Sequence, residues 1–432
     1  MATVRPFEGI LYDPKRVDLS QVVAPPYDVI TPADQRRYYR QDPHNVVRLI
    51  AGEVRPTDSE EDNKYTRAAG FFKQWLADGI LRREARPGLY IYSHQFVDPI
   101  SGHGRVRRGL LGVVELEPFG SGVLPHEQTH ARAKADRLSL TRAVVANLSP
   151  VFALYEDPAS LVGSIIAPAL SEPSRLSITG EDGDHHTVWS ISGADQFHDL
   201  AELFRTSRLY IADGHHRYET ALNFRNKQRH DHPEAPPDAA FNYVLTLLVD
   251  VADPGLTILP THRLLHDFER FDPALVRRLG GRHRVTPRSE RAALLAAMQE
   301  PTPGHRIGLA VGQRGGYFTV DVARAATADP VSRLDVSVLH DEILRRELGL
   351  EQAELESERY LSYSRDVGGL LDRVEAGAGQ AAFLLRPPAV SDVVEVARAG
   401  RVMPQKSTYF FPKPASGIVF NPLAADIRIG PT

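Results

Sequence analysis

The chain has 432 residues, of which 42% are hydrophobic and 25% charged, so it is long enough for two or three globular domains. Its formal net charge of -4 provides no overall basic field, and no nucleic-acid partner is expected. The absence of cysteine excludes disulfides, thiolate catalysis and cysteine-ligated metals. Neither a signal-peptide pattern nor a membrane-spanning apolar run is found in the sequence, which predicts a cytoplasmic enzyme or binding protein without membrane contact.

The spacing of apolar residues predicts helices and strands that alternate without a regular strand–helix–strand period, which favours an α+β fold with mixed sheets and surrounding helices. A first helix is expected to start at residues 31–34, and further helices over residues 63–77, 131–145, 196–206, 218–226, 334–348 and 391–399. Strands are expected over residues 89–96, 109–116, 151–155, 209–212, 241–251, 360–365 and 380–386, with a hairpin over 175–192 closed at 182–184.

Three parts are predicted along the chain. Residues 1–266 form the core, which contains the central motif described next. Residues 267–325 have a helix–strand–helix–hairpin character of their own and are expected to form a small α/β subdomain. Residues 326–432 are expected to form a C-terminal α/β segment that completes the functional site.

The most informative stretch is residues 209–221, LYIADGHHRYETA, where an apolar strand stops at Asp213-Gly214 and a helix follows. Glycine permits a sharp reversal, and the helix start offers free N–H groups and a positive dipole end to an anion. His215, His216 and Arg217 add donors at the same place. The pattern predicts a phosphate site in which Asp213 accepts a proton or holds magnesium. A capped helix with a polar first turn is the alternative.

The Asp-Gly-His-His-Arg motif resembles the phosphate-binding signature of the ParB/sulfiredoxin superfamily, which includes ParB nucleotide-binding domains, sulfiredoxins and free-serine kinases. The nearest match within that group is the free-serine kinases. The resemblance implies a ParB/sulfiredoxin-like core around the motif, ATP or ADP as phosphate donor, and a small hydroxyl substrate such as free serine. It also implies a carboxylate from another segment as base.

A longer resemblance covers nearly the whole chain and is to the uncharacterised prokaryotic family called domain of unknown function 1015. Its recurring patterns occur here in order, at residues 24–29, 44–45, 125–129, 212–218, 260–263 and 403–410. This resemblance implies membership of that family and carries no chemistry with it.

Residues 126–130, HEQTH, satisfy the HExxH pattern of zinc proteases, which requires an amphipathic helix. The preceding Pro125 and the polar flanks do not favour such a helix. Glu127 is instead expected to act as general base or magnesium ligand, and a loop glutamate capping the next helix is the alternative. His126 and Thr129 are expected to contact the substrate.

Two further segments present polar groups next to prolines. The rigid proline turn before Tyr27 and Asp28 predicts that these two side chains contact the substrate, although such a turn can also simply route the chain. His262 and Arg263 follow a strongly apolar strand and are expected to form a second imidazole–cation pair for a polyphosphate. An internal salt bridge of Arg263 is the alternative.

Lys406 and Lys413 stand out because the chain otherwise prefers arginine, and lysine offers a compact charge to a transferring phosphoryl group. Ser407 adds a hydroxyl to the predicted cofactor-binding set. The aromatic residues at 409–411 either pack in the core or stack on a base.

These observations together predict a nucleotide-dependent phosphotransferase acting on a small hydroxyl substrate, with ATP or ADP and Mg²⁺ as cofactors. In this scheme Glu127 or Asp213 takes the hydroxyl proton. The alternatives are a ParB-like nucleotide-binding protein that regulates or binds DNA, a phosphatase using the same pocket, and a zinc hydrolase using His126 and His130. A homodimer is left open.

Overall fold

A computed structural model describes residues 2–129, 131–180, 182–272, 274–312, 315–323, 329–357 and 359–430. The mixture of helices and several sheets in these residues confirms the predicted α+β class. The strands are β1 (Val4–Arg5), β2 (Ile10–Tyr12), β3 (Leu81–Arg83), β4 (Leu89–Val97), β5 (Gly104–Glu115), β6 (Val123–Leu124), β7 (Ala146–Asn147), β8 (Val151–Tyr155), β9 (Leu176–Thr179), β10 (His185–Ile191), β11 (Leu209–Asp213), β12 (Tyr243–Asp250), β13 (Thr257–Ile258), β14 (His262–Leu265), β15 (Arg284–Arg288), β16 (His305–Val311), β17 (Gly316–Val322), β18 (Leu361–Ser364), β19 (Ala381–Leu384), β20 (Phe410–Phe411) and β21 (Asn421–Pro422).

The helices connect these strands and cover their faces. The α-helices are α1 (Leu19–Val22), α2 (Pro32–Gln41), α3 (Val47–Ile50), α4 (Lys64–Ala77), α5 (Ala131–Val144), α6 (Leu161–Leu170), α7 (Ala194–Thr206), α8 (His215–Asp231), α9 (Leu275–Gly280), α10 (Arg291–Gln299), α11 (Asp335–Val338), α12 (Gln352–Glu356), α13 (Val367–Glu375) and α14 (Val390–Arg398). Short 3₁₀ helices cover Tyr27–Val29, Ala240–Asn242 and Val331–Arg333, and a π-helix covers Leu339–Arg345.

The chain folds into two compact units. Unit 1 contains Met1–Pro125, Thr129–Thr257 and Pro412–Thr432, and unit 2 contains His126–Gln128 and Ile258–Phe411. This division differs from the predicted three parts, because the segment predicted as 326–432 is shared between the units. Its last stretch belongs to unit 1, where β21 pairs with β7.

Unit 1 is built on a large mixed sheet with the strand order β6-β11-β8-β12-β5-β4-β10-β9, in which β1 also pairs with β5. The pairs β6–β11 and β8–β12 are parallel, and the remaining pairs are antiparallel. Strand β12 is central and nearly all of its residues are buried, as its continuous apolar run predicts. The apolar faces of helices such as α7 pack on the sheet through Phe197, Leu200 and Phe204.

A β-bulge interrupts the pairing of β11 with β8 just before the central motif. Ile211 lies opposite Ala153, but the next paired residue is Asp213, opposite Phe152. A bulge inserts an unpaired residue and re-aims the side chains after it. The bulge therefore helps to set the orientation of Asp213 at the end of β11.

Unit 2 is built on an antiparallel sheet with the strand order β15-β17-β16-β19-β14-β18. Its core includes Leu294 and Met298 from α10, and Leu370, Leu371 and Val374 from α13. The predicted separate subdomain at 267–325 needs correction. Its three strands β15, β16 and β17 join β14, β18 and β19 in one sheet, because β16 pairs with β19 from later in the chain.

No helix in the described part of the chain combines the length and the hydropathy that crossing a bilayer requires.

Candidate phosphate-binding site

The central motif forms a strand, a one-residue turn and a helix. Strand β11 ends at Asp213, Gly214 adopts φ 92° and ψ 28° as the N-cap, and the 17-residue helix α8 begins at His215. Only glycine adopts this left-handed conformation without strain. Glycine also supplies no side-chain acceptor to the first helical turn, so the N-cap leaves space for an acceptor from elsewhere.

Replacing Gly214 by alanine is expected to destabilise the protein by about 2 kcal/mol, because backbone strain adds to a steric conflict. A Cβ at this position would lie 2.9 Å from Nε of Arg217. Gly183, with φ 84° and no neighbour within 4 Å of such a Cβ, is the matched control and should show the strain of about 1 kcal/mol alone. Urea unfolding measures both variants, and equal losses would show that the contact with Arg217 does not matter.

Asp213 holds two cations, each on a different oxygen. Its Oδ1 lies 2.7 Å from Nζ of Lys413, and its Oδ2 pairs with Nη2 of Arg217, one helical turn along. Lys413 also pairs with Asp28, and Arg217 donates a second hydrogen bond to the carbonyl oxygen of Pro150. The side chains of Asp213, Arg217 and Lys413 are only 18%, 12% and 9% exposed.

Opposite charges keep Asp213 and Lys413 in their ionised forms. Burial alone would raise the pKa of Asp213, but Lys413 and Arg217 outweigh it and hold that pKa well below its usual range. Burial likewise opposes the charged form of Lys413, but the carboxylates of Asp213 and Asp28 raise its pKa above the usual value. A carboxylate held ionised so strongly is a poor proton acceptor. The expectation that Asp213 takes the hydroxyl proton is therefore corrected: here it positions Lys413 and Arg217.

A small cavity lies beside this group. It has a volume of about 50 Å³ and is lined by Tyr27, Arg137, Arg217 and Thr220, among others. Arg137 lies over the ring of Tyr27, at 3.9 Å from its centroid, and burial raises the pKa of the Tyr27 hydroxyl. The buried hydroxyl of Thr220 has no hydrogen-bond partner among the described residues. The volume suits water rather than a nucleotide, so a larger ligand requires these side chains to move.

The remaining predicted residues of unit 1 flank the same helix. His215 is buried and helps to lower the pKa of Asp213, whereas His216 is half-buried. Thr129 donates a hydrogen bond of 2.6 Å to Oε2 of Glu219, which also pairs with Lys134. Thr129 thus contacts the second turn of α8, where Glu219 lies.

The other predicted site residues belong to unit 2. Nε2 of His126 lies 2.9 Å from Oγ1 of Thr408, and the carbonyl of His126 accepts a hydrogen bond from the N–H of Met403. Glu127 is half-buried in a non-helical segment. Lys406 is exposed with φ 55°, and the buried hydroxyl of Ser407 donates to the carbonyl of Pro404.

His262 and Arg263 lie inside the sheet of unit 2, on β14. Nδ1 of His262 accepts a hydrogen bond from the N–H of Leu385, and burial together with the charge of Arg263 lowers the pKa of His262 to about 4. The His262 ring is therefore neutral and accepts a hydrogen bond from the main chain. The expectation that His262 acts with Arg263 on a phosphate is corrected. Arg263 donates to the carbonyls of Gln405 and Lys406 at 3.1 and 3.3 Å rather than forming a salt bridge.

The described residues do not support a protein-held metal. No group of three His, Asp or Glu residues among them is arranged to bind one. Both oxygens of Asp213 already contact cationic side chains, which does not suit the predicted magnesium ligand. Residues 126–129 are not helical, as the zinc-protease pattern would require, and His130 lies outside the described residues.

The family model described as a protein of unknown function (DUF1015) matches residues 4–337, and the chain therefore belongs to that family, as the sequence motifs predict. No match is found among curated proteins. Similar solved structures include a conserved hypothetical protein from Pyrococcus furiosus, at 16% identity over 68% of this chain and 88% of that chain with a TM-score of 0.33. A free serine kinase in complex with AMP matches at 15% identity over 67% and 83%, with a TM-score of 0.34. SbnI with a C-terminal truncation, from Staphylococcus aureus, matches at 11% identity over 71% and 85%, also with a TM-score of 0.34.

Proposed function

We propose that unit 1 binds the phosphates of a nucleotide at the start of α8, and that the protein is a phosphotransferase acting on a small hydroxyl substrate such as free serine. The observation that carries this proposal is the convergence of Lys413 and Arg217 on Asp213, at a glycine-started helix N-terminus. The resemblance of the Asp-Gly-His-His-Arg motif to free-serine kinases supports it. A ParB/sulfiredoxin-like core around the motif is part of the same proposal.

The balance of charge indicates how a phosphate enters. Two carboxylates, Asp28 and Asp213, face two cations, Lys413 and Arg217, so the group has no spare positive charge as it stands. Asp28 is the more exposed carboxylate, at 37%, and sits on a short 3₁₀ helix. In the proposed bound form a phosphate oxygen replaces Asp28 on Lys413, while Asp213 keeps both cations in position.

The reaction proposed is attack of the substrate hydroxyl oxygen on the terminal phosphorus of ATP or ADP. The bond from that phosphorus to the bridging oxygen breaks, and the shortened nucleotide leaves. Lys413 and Arg217 neutralise charge on the phosphate oxygens. Mg²⁺ is expected to arrive on the nucleotide, since the described residues hold no three-ligand cluster for it. The hydroxyl proton passes to solvent water. Glu127 lies in unit 2, and its role as a base stays a prediction.

Two variants with opposite expected effects test the phosphate site. Lys413→Met should weaken nucleotide binding at least tenfold, whereas Asp28→Asn should strengthen it several-fold because it removes the competing carboxylate. Lys227→Met, in an exposed pair on α8, is the control and should bind as the unmodified protein does. Isothermal titration calorimetry with ADP measures all three. A decrease in both site variants would indicate simple structural damage and contradict the exchange.

Phosphoryl transfer is tested by incubating the protein with ATP or ADP, MgCl₂ and a panel of amino acids and small alcohols, and by following ³¹P NMR. A new phosphomonoester signal is expected with a hydroxyl compound. Lys413→Met should lower kcat/KM for the nucleotide at least tenfold, because the phosphate site then loses one of its two cations. Nucleotide binding without transfer to any acceptor would contradict the kinase and leave a nucleotide-binding protein.

A further inference from the structure

Unit 2 contains a second cavity whose lining combines basic and apolar side chains. Its volume is about 300 Å³, which lies at the lower end of the range for small-molecule sites. The polar lining includes Arg263, Arg333, Arg386, His305 and the carboxylates of Asp335 and Asp392, and the apolar lining includes Val336, Leu385 and Pro387. All of these residues belong to unit 2.

Arg263 is the unusual member of this lining, because its guanidinium is fully buried and pairs with no carboxylate among the described residues. Its side chain is 0% exposed, and burial lowers the pKa of its guanidinium to about 10 with only Tyr363 acting against it. Its Nη1 and Nη2 donate to main-chain carbonyls, but its Nε has no hydrogen-bond partner among the described residues. A buried charge without a counter-charge is costly, and an anion placed beside it would remove that cost.

The other two arginines of the lining are held by carboxylates but keep donors unused. Arg386 forms two hydrogen bonds with Asp335, at 2.8 and 3.2 Å, and Asp335 also bonds Nδ1 of His305. Arg333 pairs with Glu395 through Nη2 alone. Across the described residues, Nη1 of Arg386 and both Nε and Nη1 of Arg333 form no hydrogen bond. The Asp335 carboxylate thus fixes the orientation of Arg386 without saturating it.

We propose that this cavity is a binding site for a small organic oxyanion, a carboxylate or phosphate group carried on a short apolar body. The oxyanion lies among Arg263, Arg333 and Arg386, where it supplies the negative charge that Arg263 lacks. The apolar body lies against Leu385 and Pro387. The site uses residues of unit 2 only and does not depend on the phosphotransferase proposal.

Titration calorimetry with inorganic phosphate and with acetate, at constant ionic strength in NaCl, tests the site and distinguishes the two anion types. Saturable binding of either anion is expected, and the anion that binds identifies the group. Arg333→Gln should weaken that binding at least fivefold. Arg291→Gln is the matched control, since Arg291 is similarly exposed and paired with Asp372 but is not in the lining, and it should change the Kd by less than twofold.

Two results would overturn the proposal: neither anion binding more than chloride does, or Arg333→Gln and Arg291→Gln behaving alike. Lys413→Met separates it from the proposed phosphotransferase. If Lys413→Met loses phosphate binding and Arg333→Gln keeps it, the phosphate binds in unit 1. That result overturns the proposed unit 2 site and leaves the phosphotransferase proposal standing. Anion binding that is unchanged in Lys413→Met, in a protein that does not bind ADP, supports the unit 2 site and contradicts the phosphotransferase.

Discussion

Asp213→Asn is expected to lower the free energy of unfolding by about 3 kcal/mol, because two poorly solvated cations lose the carboxylate they share. Asparagine has nearly the same shape, so the loss reports charge rather than volume. Lys413 retains Asp28, whereas the remaining hydrogen-bond partner of Arg217 among the described residues is the carbonyl of Pro150. The same variant should weaken nucleotide binding, since no single carboxylate then positions Lys413 and Arg217 together at the start of α8. Urea unfolding at pH 7, followed by circular dichroism, measures the loss of stability.

The far end of the same helix provides a matched control. Lys227 and Asp231 also form an i,i+4 pair on α8, but their side chains are 51% and 37% exposed. Exposed pairs of this kind contribute little because solvent screens the charges, so Asp231→Asn should change the stability very little. Similar losses in the two variants would mean that Asp213 is no more than a surface partner of Arg217.

The second large effect concerns two buried histidines on neighbouring strands of unit 1. The rings of His94 and His186 lie 4.2 Å apart between centroids, and Nδ1 of His186 lies 2.8 Å from the hydroxyl of Tyr92. Burial lowers the pKa of His186 to about 3 and lowers that of His94 well below its usual value, and the charge of Arg107 acts in the same direction. Both rings are therefore neutral, and His94 forms a hydrogen bond to Asp184 rather than an ion pair.

Unit 1 should lose stability steeply as the pH falls below about 6.5. In this range both histidines are protonated in the unfolded chain but not in the folded chain. Each histidine therefore lowers the free energy of unfolding by about 1.4 kcal/mol for every pH unit of acidification, and the pair by about 2.7 kcal/mol. The loss continues until the pH reaches the lowered pKa values. His186→Gln, which keeps an acceptor for Tyr92, should reduce the slope by about half. The midpoint of urea unfolding, recorded at a series of pH values between 7 and 4.5, measures this pH dependence of stability.

His185 provides the control, since it precedes His186 on β10 but is exposed and bonds only the hydroxyl of Thr179. His185→Gln should leave the pH slope unchanged. If His186→Gln also leaves it unchanged, the ring of His186 is protonated in the folded protein and the packing described here is wrong.

The local features of the site could be predicted from the sequence because they depend on neighbouring residues. An apolar run, a glycine and a polar helix start correctly predict β11, the turn at Gly214 and α8. The scarcity of lysine in the sequence indicates Lys413 as a candidate site residue. Its partners could not be predicted, because Asp28 lies 385 residues away and no local spacing relates the two. The bulge after Ile211 likewise depends on the pairing with β8.

The errors have the same physical origin. The predicted subdomain at 267–325 looked separate because its pairing with β19 involves residues about 70 positions later. The sequence predicts that His262 and Arg263 form an imidazole–cation pair for a polyphosphate, because polar residue types do not reveal burial. All four residues of the strand that carries them are buried. His94 and Arg107 are buried on strands that also carry exposed polar residues, so the sequence pattern does not single them out. The hydrogen bonds and ion pairs of a buried polar group depend on residues that are brought to it by the tertiary structure.

The division of unit 1 along the chain has a consequence during synthesis. Because the ribosome releases the polypeptide from its N-terminus, Asp28, Asp213 and Arg217 emerge long before Lys413, with nearly all of unit 2 translated in between. A nascent chain that has emerged as far as Phe411 has every residue of unit 2 available but still lacks the ammonium group that joins the two aspartates. Unit 2 can thus fold before Pro412–Thr432 complete unit 1.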